Sequence, residues 1–252
     1  MPAVTAKTVL ITGCSEGGLG AALANAFAQK GFTYLRPFKF PRKLSRTGGA
    51  LDVLVNNAGS MLKGPLLDVL IQEIRKAFEI NVWAMLAVTQ AFAPLVVKSK
   101  GVILNICSIA GAVRMAWQGT YNASKVAETW FSETLRIGME PLSVCVLTAT
   151  VGEAETNIYQ IGEPPELPKG SYYLSVRQYI VDQAAGKLQK SNEPAEVTAQ
   201  NLVKDVLSGK SGQTWRGGVA GTAKLASWLP PTRIFERLLH SNRGVYTITL
   251  PL

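Results

Sequence analysis

Three side chains able to handle a proton fall in one short stretch: Ser108, Tyr121 and Lys125, within Asn105 to Lys125. If the segment from Tyr121 to Leu135 is helical, the phenol at i and the ammonium at i+4 leave one face, a turn apart. A fixed positive charge beside a phenol favours the phenolate, so the pair is a proton donor with a device that makes it more acidic. The β-branched run Val102-Ile103-Leu104-Asn105-Ile106 reads as a buried strand. Ser108 then falls just past its C-terminal end, where open α/β sheets place their chemistry. A tyrosine and a lysine at this spacing, taken alone, are no more than neighbours on a helix surface. The upstream hydroxyl, and a phosphate-cradling turn near the start of the chain, give the pair its weight.

That turn follows the apolar strand Thr8-Val9-Leu10-Ile11-Thr12 and runs Gly13-Cys14-Ser15-Glu16-Gly17-Gly18-Leu19-Gly20. An alanine-rich helix from Ala21 to Lys30 follows and stops at Gly31. Strand, glycine turn and helix make the phosphate-binding opening of a dinucleotide fold. Glycines let the backbone approach a pyrophosphate, and the helix N-terminus supplies free amides and partial positive charge. Further strands are read at Leu51 to Asn56 and Ser143 to Ala149. Helices are read from Leu66 to about Phe92, and after Ser191-Asn192-Glu193-Pro194 as far as Leu207.

Composition narrows the classes. The 252 residues suit one α/β domain with a sizeable core, and they carry 26 basic against 17 acidic residues. The positive balance suits anionic lipid or a phosphorylated cofactor. Nucleic acid ranks last, because no basic helix with interleaved aromatics and no zinc-finger spacing accompanies the charge. His240 is the single histidine, which excludes a Ser-His-Asp hydrolase and a histidine-based metal site. Cys14, Cys107 and Cys145 are odd in number and lie in apolar contexts, as core residues of a reducing compartment do. No signal core is read at the N-terminus and no run is read as long enough to span a bilayer, so a cytoplasmic location is expected.

Ser108 followed by Tyr121-x-x-x-Lys125 resembles the signature of the short-chain dehydrogenase/reductase family. The resemblance implies a Rossmann-type doubly wound parallel sheet in a single domain spanning 1–252, binding NADP(H) and acting on a small carbonyl or alcohol. It implies that Tyr121 donates the proton, that Lys125 lowers its pKa and grips the ribose, and that Ser108 orients the carbonyl. Asn56-Asn57-Ala58-Gly59 is similar to the family's Asn-Asn-Ala-Gly element, which lies against the cofactor. Asn81 matches the asparagine that kinks a helix and holds a water in the proton relay. Gly13, Ser15, Leu19 and Gly20 would meet the cofactor phosphates, as would Thr156, and Ala154 would meet the nicotinamide carboxamide. The stretched glycine spacing and the Trp215-Arg216-Gly217-Gly218 element resemble a fungal branch of NADPH-dependent 1-acyldihydroxyacetone-phosphate reductases.

The pattern is broken at one place. Phe32 to Leu51 offers 20 residues where a βαβ unit takes roughly 30 or more, so at most one short strand fits and the sheet edge is shortened. Arg36, Arg42 and Lys43 in that interval face either the 2′-phosphate of NADP or solvent. Glu153 and Glu155 are carboxylates unusual beside phosphates and are expected to point to solvent. The segment 160–190, proline-rich and then tyrosine-rich, would cover the substrate. The segment 215–240, apolar with flanking Arg and Lys, suits an endoplasmic-reticulum or lipid-droplet surface, or equally a core or dimer contact.

These readings converge on an NADPH-dependent oxidoreductase acting on a CH–OH group of a lipid or a fungal secondary metabolite. A homo-oligomer is implied by the resemblance. Two rivals remain at this level: a redox-neutral enzyme of the same fold (dehydratase, isomerase or cyclase), and a non-catalytic relative with impaired cofactor binding.

Overall fold

The computed structural model describes residues 7–35, 49–160, 163–189, 193–228 and 233–249. One sheet is built from β1 (Thr8–Ile11), β2 (Thr33–Leu35), β3 (Val53–Asn56), β4 (Val102–Ser108), β5 (Cys145–Val151) and β8 (Gly212–Arg216), while β6 (Ala154–Glu155) and β7 (Glu193–Pro194) form a separate short pair. The strand order is β2-β1-β3-β4-β5-β8 and every pairing is parallel. Such a sheet is covered on both faces, so its strands read as continuous apolar runs.

Successive residues of each strand serve opposite layers. Val9, Ile11, Val53, Val55, Leu104 and Leu147 pack with Phe27 of α1 (Leu19–Gln29) and Leu202 of α5 (Ala195–Leu207). Leu10, Leu54, Ile103 and Val146 pack the other way, with Val96 of α2 (Ile71–Ser99) and Met139 of α3 (Gly119–Met139). The chain runs outward from β1 to β2, then returns across β1 to β3. The carboxyl ends of β1 and β3 therefore flank a topological switch point, the usual crevice for a ligand in open α/β sheets.

Several boundaries differ from expectation. α2 starts at Ile71 rather than Leu66, since Leu66, Leu67 and Leu70 precede it and are exposed. It continues to Ser99 through a π-turn at Glu79–Trp83. The expectation that no run reaches spanning length is corrected, because α2 is long and apolar enough to cross a membrane by length and composition. Its Val96 belongs to the buried cluster with Leu51 and Ile103 beneath the sheet, while 28% of its apolar window is buried. In the shortened interval, Thr33–Leu35 is the one strand among the described residues. Arg36, Arg42 and Lys43 lie outside the described residues, as do Ser191 and Asn192 of the expected helix cap.

Two polar features tie the layers together. Asn56, Asn105 and Thr148 are register partners across β3, β4 and β5. The Asn56 amide donates to Asn105 Oδ1 at 2.8 Å and to Thr89 Oγ1 of α2 at 2.9 Å. Asn105 donates to Ser132 Oγ of α3 at 2.8 Å, and the Ser132 and Thr148 hydroxyls are 2.6 Å apart. At the far edge, the Asp205 carboxylate of α5 accepts from Thr214 Oγ1, Arg216 Nε and Lys210 Nζ at 2.6, 2.8 and 2.8 Å. The helix α4 (Arg177–Ala184) and the last segments, α6 (Ala220–Ser227) and α7 (Arg233–Leu239), close over the carboxyl end of the sheet.

Candidate active site

A cavity of about 410 Å³ opens at the carboxyl ends of the central strands. Gly13, Ser15, Leu19, Asn57, Ser108, Tyr121, Lys125, Ala154 and Thr156 line it. Gly20, Asn56 and Asn81 are not in its lining. Asn56 turns its amide into the inter-strand seam described above, and Gly20 and Asn81 stand behind the wall.

The glycine turn is shaped by close backbone approach. Gly13 adopts φ +69°, and a Cβ at Gly20 would sit 2.3 Å from the Gly13 carbonyl oxygen. Asn57 Nδ2 fastens the turn to the end of β3, donating to the Thr12 and Gly13 carbonyls at 3.0 and 2.8 Å. Gly18 caps α1 with no side-chain hydrogen bond, which leaves the helix N-terminus open toward the cavity. A side-chain-free cradle at a helix N-terminus fits a pyrophosphate.

Ser108 ends β4, its Oγ accepts from Ala110 N at 3.1 Å, and it acts on the Tyr121 phenol to lower its pKa. Tyr121 lies in the first turn of α3 and is buried. Lys125 Nζ lies 5.7 Å from the Tyr121 ring centroid and donates to Ile106 O at 3.2 Å. It also donates to Glu128 Oε2 at 2.8 Å, a buried ion pair one turn along α3. Asn81 occupies the π-turn of α2. It accepts from Ser60 N at 2.7 Å and donates to Ser60 O and Ser124 Oγ, both at 2.9 Å. A Cβ at Gly59 would meet Asn81 Oδ1 at 3.5 Å and Lys125 Nζ at 3.6 Å, so the two polar groups converge on that glycine.

Burial dominates the electrostatics. It raises the Tyr121 phenol above the usual range, Lys125 pulls it back down, and Glu128 adds to the rise. Burial would lower Lys125, but the Glu128 carboxylate and Tyr121 outweigh it and hold the side chain as an ammonium. The Cys107 thiol of β4 is pushed up to about 12 by burial, which favours the protonated thiol over the nucleophilic thiolate.

Other residues were not marked by sequence. Asn157 ties the glycine turn to the segment after β5 through Glu16 O at 3.0 Å and Gly17 O at 3.2 Å. Glu128 stands at i+3 from Lys125, a spacing visible in the sequence. Tyr159 and Arg243 line the cavity with no local motif to announce them. Gln183, Gly186, Leu188 and Gln189 of the 160–190 segment also line it. The expectation for the two carboxylates is corrected in part: Glu155 is exposed, but Glu153 lines the cavity, because its backbone is held to Gly218 between β5 and α6. His240 is structural, accepting from Ala116 N through Nε2 at 3.2 Å. Among the described residues no His/Cys/Asp/Glu cluster could hold a metal.

A doubly wound parallel sheet with a glycine cradle at its switch point, and a Ser, Tyr and Lys set opposite it, defines an α/β protein built for a dinucleotide. The short chain dehydrogenase family matches residues 38–164, and the chain belongs to that family. It is 35% identical over 275 residues to the short-chain dehydrogenase cctT of Talaromyces islandicus, covering 95% of this chain and 96% of that one. It is 30% identical over 266 residues to the NADPH-dependent 1-acyldihydroxyacetone phosphate reductase of Schizosaccharomyces pombe, covering 89% and 90%. A solved short chain dehydrogenase from Burkholderia cenocepacia, in complex with NADP, shares the fold with TM-score 0.70 at 20% identity, over 94% of this chain and 97% of that one.

Proposed function

We propose that the protein is an NADPH-dependent reductase that interconverts a ketone and a secondary alcohol on a lipid or a fungal secondary metabolite. The observation that carries this reading is the meeting of Ser108, Tyr121 and Lys125 on one cavity wall, across from the glycine cradle at Gly13 and Leu19. The NADPH named for the yeast relative and the NADP bound in the structural neighbour support the choice of coenzyme.

Gly13, Ser15 and Leu19 would hold the coenzyme phosphates, and Lys125 its ribose. When bound, NADPH supplies the hydride. Ser108 Oγ and the Tyr121 hydroxyl together hold the carbonyl oxygen, which fixes the carbonyl for attack. Tyr121 gives its phenolic proton to that oxygen as negative charge develops there. The Lys125 ammonium stabilises the phenolate that remains, and Asn81 keeps the floor beneath Lys125 in place through Ser60 and Ser124.

Titration calorimetry with NADPH and NADH, with Lys125→Ala as control, tests the reading. Micromolar NADPH binding that weakens in the variant supports it, and no binding of either coenzyme by folded protein sinks it. Two finer elements belong to the same reading. Trp130 and Ile137 lie exposed along α3 and would form a homo-oligomer contact, which sedimentation equilibrium checks. Trp228, Ile234 and Leu238 lie exposed near Lys224, Arg233 and Arg237 and would meet an anionic membrane or lipid droplet, which vesicle co-sedimentation checks.

A further inference from the structure

We propose that Arg243 is the anion-binding residue of the substrate site, and that the substrate carries an ionised carboxylate in addition to its reacting carbonyl. The inference rests on the reductase reading for the carbonyl, but the binding step it names is separate from hydride transfer.

Arg243 lines the cavity and is 4% exposed. Its Nη1 is committed, donating to Leu239 O and Asn242 Oδ1, both at 2.8 Å. Its Nε is buried with no partner, and Nη2 makes no hydrogen bond among the described residues. One edge of the guanidinium is therefore anchored and the other is unused. On that edge Nε is sealed from solvent, so a ligand carboxylate would meet Nη2 first and complete the bidentate fork only by opening Nε beside it. No salt bridge to Arg243 forms among the described residues.

The surroundings make an unpaired cation costly. Val113, Met115, Val219 and Ala223 share the lining, and burial lowers the Arg243 pKa. The groups facing it are Glu153, which attracts it through space, and the Tyr159 phenol. Tyr159 in turn interacts through space with both Arg243 and Tyr121, which places the cation and the proton donor in one chamber. A ligand carboxylate there would supply the missing acceptor in a poorly solvated setting, where a charged hydrogen bond is strongest. The position is fixed from outside as well: the Arg243 carbonyl accepts from Trp117 Nε1 at 2.8 Å, on the loop leading into α3.

The test uses a matched series of aryl and alkyl keto acids and their methyl esters, with kcat/KM for NADPH-dependent reduction measured for each pair. Wild type is expected to prefer acids by roughly 10- to 100-fold, the scale of a hydrogen-bonded charge. Arg243→Gln is expected to bring the acid-to-ester ratio to about one, and Arg243→Lys to keep part of the preference, since charge survives without the fork. The lysine variant also covers the case in which the glutamine variant does not fold. Equal turnover of acid and ester by wild type in every pair, or an acid preference surviving in Arg243→Gln, overturns the proposal. If no ketone is reduced, calorimetry with the same pairs still decides. Acid binding that Arg243→Gln abolishes upholds the anion site while the reductase reading falls, and failure to bind acids better than esters overturns the site itself.

Discussion

Lys125 Nζ and Glu128 Oε2 are 2.8 Å apart, with both side chains almost wholly out of solvent. The lysine that would sharpen Tyr121 thus arrives with much of its charge already balanced. Glu128 also raises the Tyr121 phenol directly, and its other oxygen, Oε1, is buried without a partner. The proton donor of this site is set by a pair of opposite charges on its own helix rather than by a single ammonium.

Glu128→Gln is therefore expected to lower the Tyr121 pKa, because the negative charge that disfavours phenolate is gone while the lysine remains. Reduction needs the protonated phenol, so the alkaline limb of the kcat/KM profile should move to lower pH. The variant should also lose about 3–5 kcal/mol of stability, since removing one partner strands the other buried charge. An alkaline limb that stays in place in a folded variant would detach Glu128 from the phenol.

Two glycine-to-alanine changes should have opposite signs. Gly20→Ala would drive a Cβ to 2.3 Å from the Gly13 carbonyl, distorting the cradle. Loss of about 1–3 kcal/mol and of measurable NADPH binding is expected. Gly138 lies inside α3 with nothing within 4 Å of its Cβ position. Gly138→Ala should stabilise by about 0.5–1 kcal/mol with coenzyme binding unchanged. Thermal unfolding with and without NADPH checks both.

Asp205 governs acid stability at the β8 edge. Burial works to raise its carboxyl, but hydrogen bonds from Arg216, Lys210 and Thr214 overcome this and hold it well below the usual carboxylate range. A depressed folded pKa gives stability that is present above the unfolded value, near 3.9, and is lost as pH falls toward the folded one. Asp205→Asn should cost about 2–4 kcal/mol at neutral pH. The gap from wild type should narrow below about pH 4, where the unfolded wild-type chain takes up the proton. Urea melts at pH 7 and pH 3 measure the two ends.

How far the site could be read from sequence depended on how locally each part is determined. The β1 turn and the Tyr121-to-Lys125 turn are contiguous, so residue type and spacing carried them. The one-strand outcome in the shortened interval followed from chain length alone, within the described residues. Asn56 and Asn57 are adjacent and chemically identical, but strand alternation sends one into the sheet seam and the other onto the glycine turn. Only the three-dimensional register separates them. Arg243 reaches the cavity because Trp117 and His240 fold the tail back onto the loop before α3, contacts between segments more than 120 residues apart. The start of α2 was misplaced because Leu66, Leu67 and Leu70 are apolar yet exposed, so hydrophobic periodicity gave no stop signal there.

The aligned amides and hydroxyls of Asn56, Asn105 and Thr148 bear on how the sheet assembles. An apolar strand of valine, leucine and isoleucine can slide along a similar neighbour with little change in burial, because each rung resembles the next. A polar rung cannot slide: displaced by one residue, every side chain changes face, and the partners from Thr89 and Ser132 are left pointing at hydrocarbon. The seam therefore acts as a proofreading step for strand alignment. It disfavours a one-residue slip, in which these amides and hydroxyls lose their partners, and so it helps hold Ser108 at the top of β4.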